Sequence, residues 1–350
     1  MSNFFLELYS EEIPHNLQIS AREQLKKLIE NTLNENEIKF GAFDVFSTPK
    51  RICVTIKDIA TEQKIEPQEV KGPRVGCNEQ ALDGFLKSRS LNINDLIQKV
   101  TDKGEFYFAN LPAKNILTTE ILEEKLPIIF KSINWKKSMR WSNHDCFWGR
   151  PLISICSLLD SQVLNFNFFH IKSSNITYVN GPFEDKEIKI KNFDEYKKIL
   201  RQNNIELDHK QRELNIRTKL EELLKRSKCS TDLSSRLVEE VVNLVENPII
   251  LKGKFNKEYL DLPDELLNLT MIHHQRYFPM KLETDNKLIN NFLFVANNFD
   301  NKNLITQGNE KVINARLSDA KFFWDKNKKQ SLVKQVTKLN SIVFYQKLGP

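Results

Sequence analysis

The chain has 350 residues, 40% of them hydrophobic and 28% charged, and 52 Lys and Arg against 46 Asp and Glu give a formal charge of +6. That length can bury a large core and favours two domains over one, and the composition is that of an ordinary soluble protein. No apolar run approaches the roughly 20 residues that cross a membrane, so we expect a cytoplasmic protein without a membrane partner, whose small positive charge permits a polyanionic ligand without requiring one.

Cysteine and glycine usage excludes several kinds of site. The five cysteines are scattered and never form Cys-x-x-Cys, which favours neither a disulfide framework nor a zinc site. His144 and Cys146 would supply only half of a metal site, so we predict no metal. The 10 glycines include no Gly-x-Gly-x-x-Gly and no Gly-x-x-x-x-Gly-Lys-Ser/Thr pattern. The sequence therefore shows no phosphate cradle and no site for activating an amino acid.

The first half of the sequence mixes strand and helix signals. Strands are predicted at 3–9, 43–46, 52–59, 105–111, 152–159 and 163–169, and helices from 14 to about 33, at 79–88 and at 117–132. This order predicts an α+β domain with a mixed sheet over residues 1–177.

A turn with two cations connects two of these strands. Thr48-Pro49-Lys50-Arg51 lies between strands at 43–46 and 52–59 and reads as a hairpin connection. Such a turn is typically solvated, and the alternative is a phosphate contact. Arg51 is therefore a candidate contact for a nucleic acid or a partner subunit.

Aromatic and basic residues alternate near residue 140. The segment contains Trp135, Lys136, Lys137, Arg140, Trp141, Trp148 and Arg150. Aromatic rings that stack on bases, placed among cations that hold phosphates, are what recognition of single-stranded or looped RNA requires. Two alternatives stay open, a subunit interface and plain packing of the tryptophans in the core. Of these residues, all but Trp148 are candidate contacts.

The sequence from 178 onward reads as mostly helical. Asn180-Gly181-Pro182 breaks regular structure and marks a domain boundary. Helices are predicted at 193–203, 208–227 and 233–245, from Pro263 and from about Asn309, and strands at 249–251 and 292–296. We expect a largely helical second domain with a few strands over 178–326, and the start of a further helical domain over 327–350.

A run of polar residues ends the helix predicted from Pro263. Adjacent His273 and His274 cannot face one metal ion from a helix, because neighbouring side chains point about 100° apart. Cations near a helix C-terminus are favourable in any case, so a structural cap is the simplest interpretation. The alternative makes His274, Gln275 and Arg276 contacts for RNA or a partner subunit.

The helix from Asn309 places two opposite charges beside its apolar stripe. Arg316 and Asp319 are three residues apart, and Val312 and Phe323 share their stripe. We expect this stripe to lie at the edge of the buried face, where unpaired charges are costly. Arg316 and Asp319 are thus predicted to form a partly buried structural pair.

Short motifs occur in a fixed order across nearly all 350 residues. They are Glu11-Glu12-Ile13-Pro14, Thr48-Pro49-Lys50-Arg51, Lys71-Gly72-Pro73, Lys137-Ser138-Met139-Arg140-Trp141, Arg150-Pro151, His274-Gln275-Arg276-Tyr277-Phe278, and Gly308-Asn309-Glu310 followed by Ala315-Arg316-Leu317-Ser318-Asp319-Ala320 and Phe322-Phe323. In this order they resemble the beta subunit of the bacterial two-subunit glycyl-tRNA synthetases. The sequence departs from the family after Ser174-Asn175-Ile176-Thr177, where Tyr178-Val179-Asn180-Gly181-Pro182-Phe183 replaces the usual Gly-His-Arg-Phe.

The resemblance implies a role as the non-catalytic part of a glycine–tRNA ligase. In that family the alpha subunit carries the site for ATP, Mg²⁺ and glycine, and the beta subunit serves recognition of tRNA(Gly) and assembly of an alpha2-beta2 tetramer. The beta subunit continues through an HD-like helical domain to an anticodon-binding domain, so this sequence resembles its N-terminal half. We expect no cofactor in this chain itself.

Two other classes of function remain as alternatives at this point. The first alternative is a freestanding RNA-binding or scaffold protein. The second is a hydrolase whose acid–base pair is not recognised, with His273 or His274 as the base.

Overall fold

A computed structural model describes residues 2–329 except 66, 90, 103, 112, 141–146, 181–184 and 234, and from 330 onward only residues 331, 333, 336, 339 and 342. Several features singled out in the sequence lie outside the described residues. They are the candidate contact Trp141, the pair His144 and Cys146, residues 181–183 of the divergent segment, and most of the predicted domain at 327–350.

Strands and helices are mixed along the described part of the chain, which confirms the predicted α+β class. The strands are β1 (Ser2–Ser10), β2 (Phe43–Thr48), β3 (Arg51–Ile59), β4 (Glu62–Ile65), β5 (Gln68–Arg74), β6 (Leu96–Thr101), β7 (Gly104–Leu111), β8 (Lys114–Leu117), β9 (Met139–Arg140), β10 (Phe147–Trp148), β11 (Leu152–Leu159), β12 (Gln162–Val163), β13 (Asn167–Phe168), β14 (Ile171–Ser174), β15 (Ile176–Val179), β16 (Lys186–Lys189), β17 (Cys229–Ser230), β18 (Ile249–Lys254), β19 (Phe278–Leu282) and β20 (Leu288–Ala296). The helices are α1 (His15–Glu35), α2 (Glu79–Arg89), α3 (Thr118–Ser132), α4 (Phe193–Gln202), α5 (His209–Ser227), α6 (Ser235–Val242), α7 (Asp264–Asn268) and α8 (Leu304–Lys328), with 3-10 turns at Ile93–Asp95 and Lys257–Asp261 and a π-helical turn at Leu269–His274.

A mixed sheet organises the N-terminal part of the chain. Its strand order is β13-β14-β11-β1-β3-β2, with β12 beside β11, and the β11–β14 pair is parallel. Strand β1 is central, and its side chains alternate between two cores, one on each face of the sheet. Phe4, Leu6 and Leu8 point into a core formed with α1 and α3, whereas Phe5 belongs to a second core on the opposite face.

The second face of this sheet is covered by residues that follow the predicted boundary at 177. Val179 of β15, and Tyr196 and Leu200 of α4, pack with Phe5 and Cys156 of the sheet. Because α4 has an apolar side formed by such residues, it stays on the sheet while its acidic first turn faces solvent. The domain division at 177 stays a prediction, and apolar contacts cross it.

A small β unit is inserted between β3 and α3. Strands β4 and β8 pair at its base, and β5, β7 and β6 form a three-stranded antiparallel sheet beyond them. Helix α2 packs against β5.

The second region contains a four-stranded antiparallel sheet with helices on both faces. Its order is β17-β19-β20-β18. One face packs against α5 and α6 through residues such as Phe278 and Leu293, and the other packs against α8 through Phe292, Ile313 and Leu317. Alternation along β20 supplies both cores.

Helix α8 begins at Leu304 rather than near Asn309, which corrects the predicted start. The cause is Asp300, whose carboxylate accepts hydrogen bonds from the backbone N–H groups of Ile305 (2.9 Å) and Thr306 (2.8 Å). These bonds satisfy donors that have no partner within the helix and favour a start before Gly308. Within the described residues, no helix combines the length and apolar character needed to cross a membrane.

Candidate functional site

Two tryptophans of the aromatic and basic segment belong to the core. Trp148 is buried among Phe130 and Phe168, and Trp135 packs on it with ring centroids 4.9 Å apart. Gly149 is required beside them, because a Cβ there would lie 2.5 Å from the ring of Trp135. Core packing therefore accounts for both rings.

The cations of this segment lie outside that core. Five exposed residues on and before strands β9 and β10 form a surface that we call the hairpin surface. They are Lys136, Lys137, Met139, Arg140 and Phe147. Arg140 lies directly opposite Phe147 in the pairing, so a cation and an exposed ring are adjacent. This combination suits an RNA backbone or the rim of a protein interface.

Arg150 is half-buried just after the hairpin. Its Nη1 donates to the carbonyl oxygen of Gly149 at 2.8 Å, which holds the guanidinium close to the backbone. The remaining N–H donors of its planar group are suited to a carboxylate or phosphate.

The structure corrects the prediction for Arg51. The side chain is fully buried, so it contacts neither solvent nor tRNA. Its Nη1 donates to Glu7 Oε1 at 3.3 Å, and its Nε lies 3.3 Å from Glu246 Oε1 as an ion pair without hydrogen-bond geometry. The turn was misread because Arg51 begins β3, and its side chain points between the sheet and the second region. The other cation of the turn predicted to be solvated, Lys50, is half-buried and forms an ion pair with Asp185.

Arg51 is the centre of a buried polar network. Tyr196 Oη donates to Glu7 Oε1 at 2.6 Å, and Thr48 Oγ1 donates to Glu246 Oε1 at 2.6 Å. Burial raises the pKa of Glu7, and the neighbouring Arg51 and the Tyr196 hydroxyl offset part of that effect. Burial also opposes the charge of Arg51, but Glu246, Tyr196 and Glu7 outweigh it and raise the guanidinium pKa. The network holds charge by pairing, as buried charges require.

A second buried arginine joins the two regions of the chain. Arg212 donates from Nη2 to the carbonyl oxygen of Ser47 (2.7 Å), from Nε to that of Val242 (3.1 Å) and from Nη1 to that of Glu206 (2.6 Å). Burial lowers its pKa to about 10. Arg212 was not predicted from the sequence, although it stands in helical register with the buried Ile216 and so occupies an apolar face.

The polar run His273–Arg276, at the end of the helical segment 264–274, lies in the second region. His273 and His274 are exposed at the end of the π-helical turn, and Gln275 is half-buried. Arg276 has φ 58°, in the left-handed region that is costly for arginine. Its Nε lies 3.1 Å from Glu240, and its Nη1 donates to the carbonyl oxygen of His273. Arg276 therefore closes the turn and leaves the histidines exposed.

The predicted structural pair on α8 is wrong. Within this described helix, Arg316 and Asp319 are both exposed and no ion pair joins them. Val312 and Phe323 of the same stripe are 43% and 57% exposed, because only Ile313 and Leu317 of the central turns reach the core. The stripe faces outward and is accessible to a partner.

The described residues contain no group of three or more His, Cys, Asp and Glu side chains that could hold a metal ion.

Comparison with known proteins identifies relatives along the full length of the chain. Residues 4–350 match the family model of the glycyl-tRNA synthetase beta subunit. The glycine–tRNA ligase beta subunit of Rickettsia conorii is 36% identical over 353 residues, covering 100% of this chain and 52% of the relative. That of Rickettsia bellii strain OSU 85-389 is 35% identical over 350 residues, covering 100% of this chain and 53% of the relative. The chain spans about half the length of these curated relatives, and it belongs to the glycyl-tRNA synthetase beta subunit family.

Proposed function

We propose that this chain is the part of a glycine–tRNA ligase beta subunit that supports the attachment of glycine to tRNA(Gly) in the cytoplasm. It binds the tRNA and the catalytic alpha subunit in an alpha2-beta2 tetramer, and ATP and Mg²⁺ bind at the alpha subunit. The observation that carries the proposal is the family match over residues 4–350.

The surfaces of the chain support a binding role. The hairpin surface presents Lys136, Lys137 and Arg140 beside exposed apolar side chains, and Arg150 adjoins it. We propose this surface as a contact for tRNA, because cations that neutralise phosphates supply much of the affinity for nucleic acid. The exposed His274, with Gln275 and Arg276 beside it, is the second candidate contact, for tRNA or the alpha subunit.

The proposal predicts a division of labour that two assays measure. The chain alone is expected to show no glycine-dependent ATP–pyrophosphate exchange, and to copurify with an alpha subunit when the two are coexpressed. Exchange activity that survives rigorous removal of any alpha subunit would overturn the non-catalytic assignment.

Binding of a tRNA(Gly) transcript separates this proposal from a pure scaffold. The observed affinity should fall with rising salt, with a slope set by the number of phosphates contacted. A chain that copurifies with the alpha subunit but shows no salt-dependent binding of tRNA, alone or in the complex, is a scaffold.

A further inference from the structure

In the described part of the chain, helix α2 packs against one face of the inserted sheet of β5, β7 and β6, and the side chains of the other face are exposed or half-buried. On the face against α2, Ala109 is fully buried. Gly72 of β5 allows the close approach, because a Cβ there would lie 2.9 Å from the ring of Phe85 in α2. The side chains that alternate with Ala109 along β7 therefore point to the other side.

That other side carries aromatic and basic residues on all three strands. Directly opposed residues share a face, and the pairing sets Phe106 opposite Lys99 and Arg74, and Phe108 opposite Ile97 and Lys71. These residues form a surface that we call the open sheet face. It consists of Lys71, Arg74, Ile97, Lys99, Phe106 and Phe108. Of these three strands only β7 was predicted from the sequence, so the convergence of their side chains on one face was not foreseen.

Contacts within the open sheet face bring cations onto the rings. Lys71 Nζ lies 3.5 Å from the centroid of Phe106, and Lys99 Nζ lies 5.5 Å from that of Phe108. Ile97 is 44% exposed, and in the described part of the chain neither ring belongs to a buried hydrophobic cluster. The rings are held in place by the sheet and are not enclosed by the core.

The charge of the open sheet face is complementary to a phosphate backbone. Three cations, Lys71, Arg74 and Lys99, belong to it, and Glu69 at its edge pairs with Lys99. Aromatic rings on a sheet, surrounded by cations, are the arrangement on which unpaired bases stack while the backbone is neutralised. A protein partner would instead favour a more continuous apolar surface than one flanked by lysines.

Stacking of a base on Phe106 or Phe108 is more favourable than the contact of either ring with a lysine ammonium group. An exposed contact between a lysine and a ring is worth about 0.5–1 kcal/mol. Stacking of a base on an aromatic side chain is worth about 1–3 kcal/mol. An incoming base therefore displaces Lys71 from Phe106, and the freed ammonium lies where it can meet the adjacent phosphate.

We propose that the open sheet face binds unpaired nucleotides of RNA, with Phe106 and Phe108 as stacking platforms and Lys71 and Lys99 as phosphate contacts. The identification of this RNA with an unpaired segment of tRNA rests on the proposed function, whereas the stacking site itself does not.

The test measures binding of a fluorescein-labelled, unstructured RNA of about 12 nucleotides to the full chain by anisotropy. Phe106→Leu and Phe108→Leu keep an apolar side chain on the sheet but remove the ring. Each is expected to weaken binding by about 5-fold to 150-fold, as the loss of one stacked base implies. Phe106→Tyr should retain binding. Lys71→Ala is expected to reduce the slope of log affinity against log salt by about 0.7.

Phe322→Leu is the matched control, because Phe322 of α8 is 61% exposed and has Lys326 Nζ 5.8 Å from its centroid. Melting curves verify that each variant is folded. Unchanged affinity in both ring variants, or an equal loss in Phe322→Leu, would overturn the stacking site. Loss of copurification with the alpha subunit at unchanged RNA affinity would make the face a subunit interface instead. Failure of the unmodified chain to copurify with an alpha subunit, with the ring effects intact, would remove the proposed function and leave this site standing.

Discussion

Arg51 of the N-terminal sheet and Glu246 of the second region form an ion pair that is almost completely buried, with 3.3 Å between Nε and Oε1. Glu7 approaches the same guanidinium from β1, so one cation serves two carboxyl groups. Removing one member of a buried pair leaves an uncompensated charge, and such changes cost about 3–5 kcal/mol. The three side chains are therefore unequal in their effect on stability.

We predict that Arg51→Met destabilises the chain by about 3–5 kcal/mol, because both carboxyl groups lose their cation. Glu7→Gln should cost less, about 1 kcal/mol, because Arg51 keeps Glu246 as its charged partner and the amide oxygen can still accept from Tyr196. Urea denaturation of the two variants measures the difference. A larger loss in Glu7→Gln than in Arg51→Met would contradict this account of the network.

We predict that the free energy of unfolding decreases as the pH is lowered below about 6.5, because of His209. Burial, followed by the nearby Arg22 and Arg212, lowers the pKa of His209 to about 4, and its Nδ1 is buried without a hydrogen-bond partner among the described residues. The unfolded chain takes up the proton near pH 6.5, so stability is complete above that pH and declines as the pH falls toward about 4. The full shift corresponds to about 3 kcal/mol, and solvent screening of the partly buried ring reduces the expected loss to about 1–2 kcal/mol.

The free energy of unfolding, measured from pH 7.5 to pH 4.5, checks the contribution of His209. His209→Gln cannot titrate, so its profile should be flatter than that of the wild type. Parallel profiles would assign the acid sensitivity to other groups. His273→Gln serves as the matched control at an exposed histidine.

We predict that Arg316→Ala and Asp319→Ala each change stability by less than about 0.5 kcal/mol, as is usual for exposed side chains. Leu317→Ala, between them on the buried side of α8, should cost about 2–5 kcal/mol. Thermal unfolding compares the three variants. If either charged variant unfolds as readily as Leu317→Ala, the pair has a structural role after all.

We predict that Arg140→Ala weakens tRNA binding and lowers the salt slope by about one unit, whereas Arg226→Ala, at an exposed arginine on α5, leaves both unchanged. Arg150→Ala should act in the same direction, because Arg150 adjoins this surface and only its Nη1 donates to the carbonyl of Gly149 among the described hydrogen bonds. Equilibrium binding at several salt concentrations gives both quantities. Equal behaviour of Arg140→Ala and Arg226→Ala would exclude the hairpin surface from tRNA binding.

Long periodic segments were predictable from the sequence because apolar spacing reports burial directly. Strands β1 and β3 and helices α1, α3 and α5 lie within a few residues of their predicted positions. The short strands β5 and β6 carry little pattern, and they form only because β7 pairs with both. Periodicity also cannot tell how wide a buried stripe is, which is why Arg316 was misplaced.

The candidate site was predicted in part. The basic character of the hairpin surface follows from composition, whereas Arg51 is a cation in a turn motif whose two partners lie on β1 and beyond α6. Such pairing is a property of the tertiary structure, so neither local spacing nor charge counting reveals it.

The buried contacts of Arg51 and Phe5 with residues beyond 177 also limit how this chain can be divided into fragments. A fragment ending at residue 177 would retain Glu7 and Arg51 but lose Glu246 and Tyr196, and would expose Phe5 and Cys156 to water. An apolar sheet face that becomes exposed in this way favours association between copies. Experiments on fragments of the chain would therefore measure aggregation of the fragments. Point substitutions in the intact chain measure the properties of each surface.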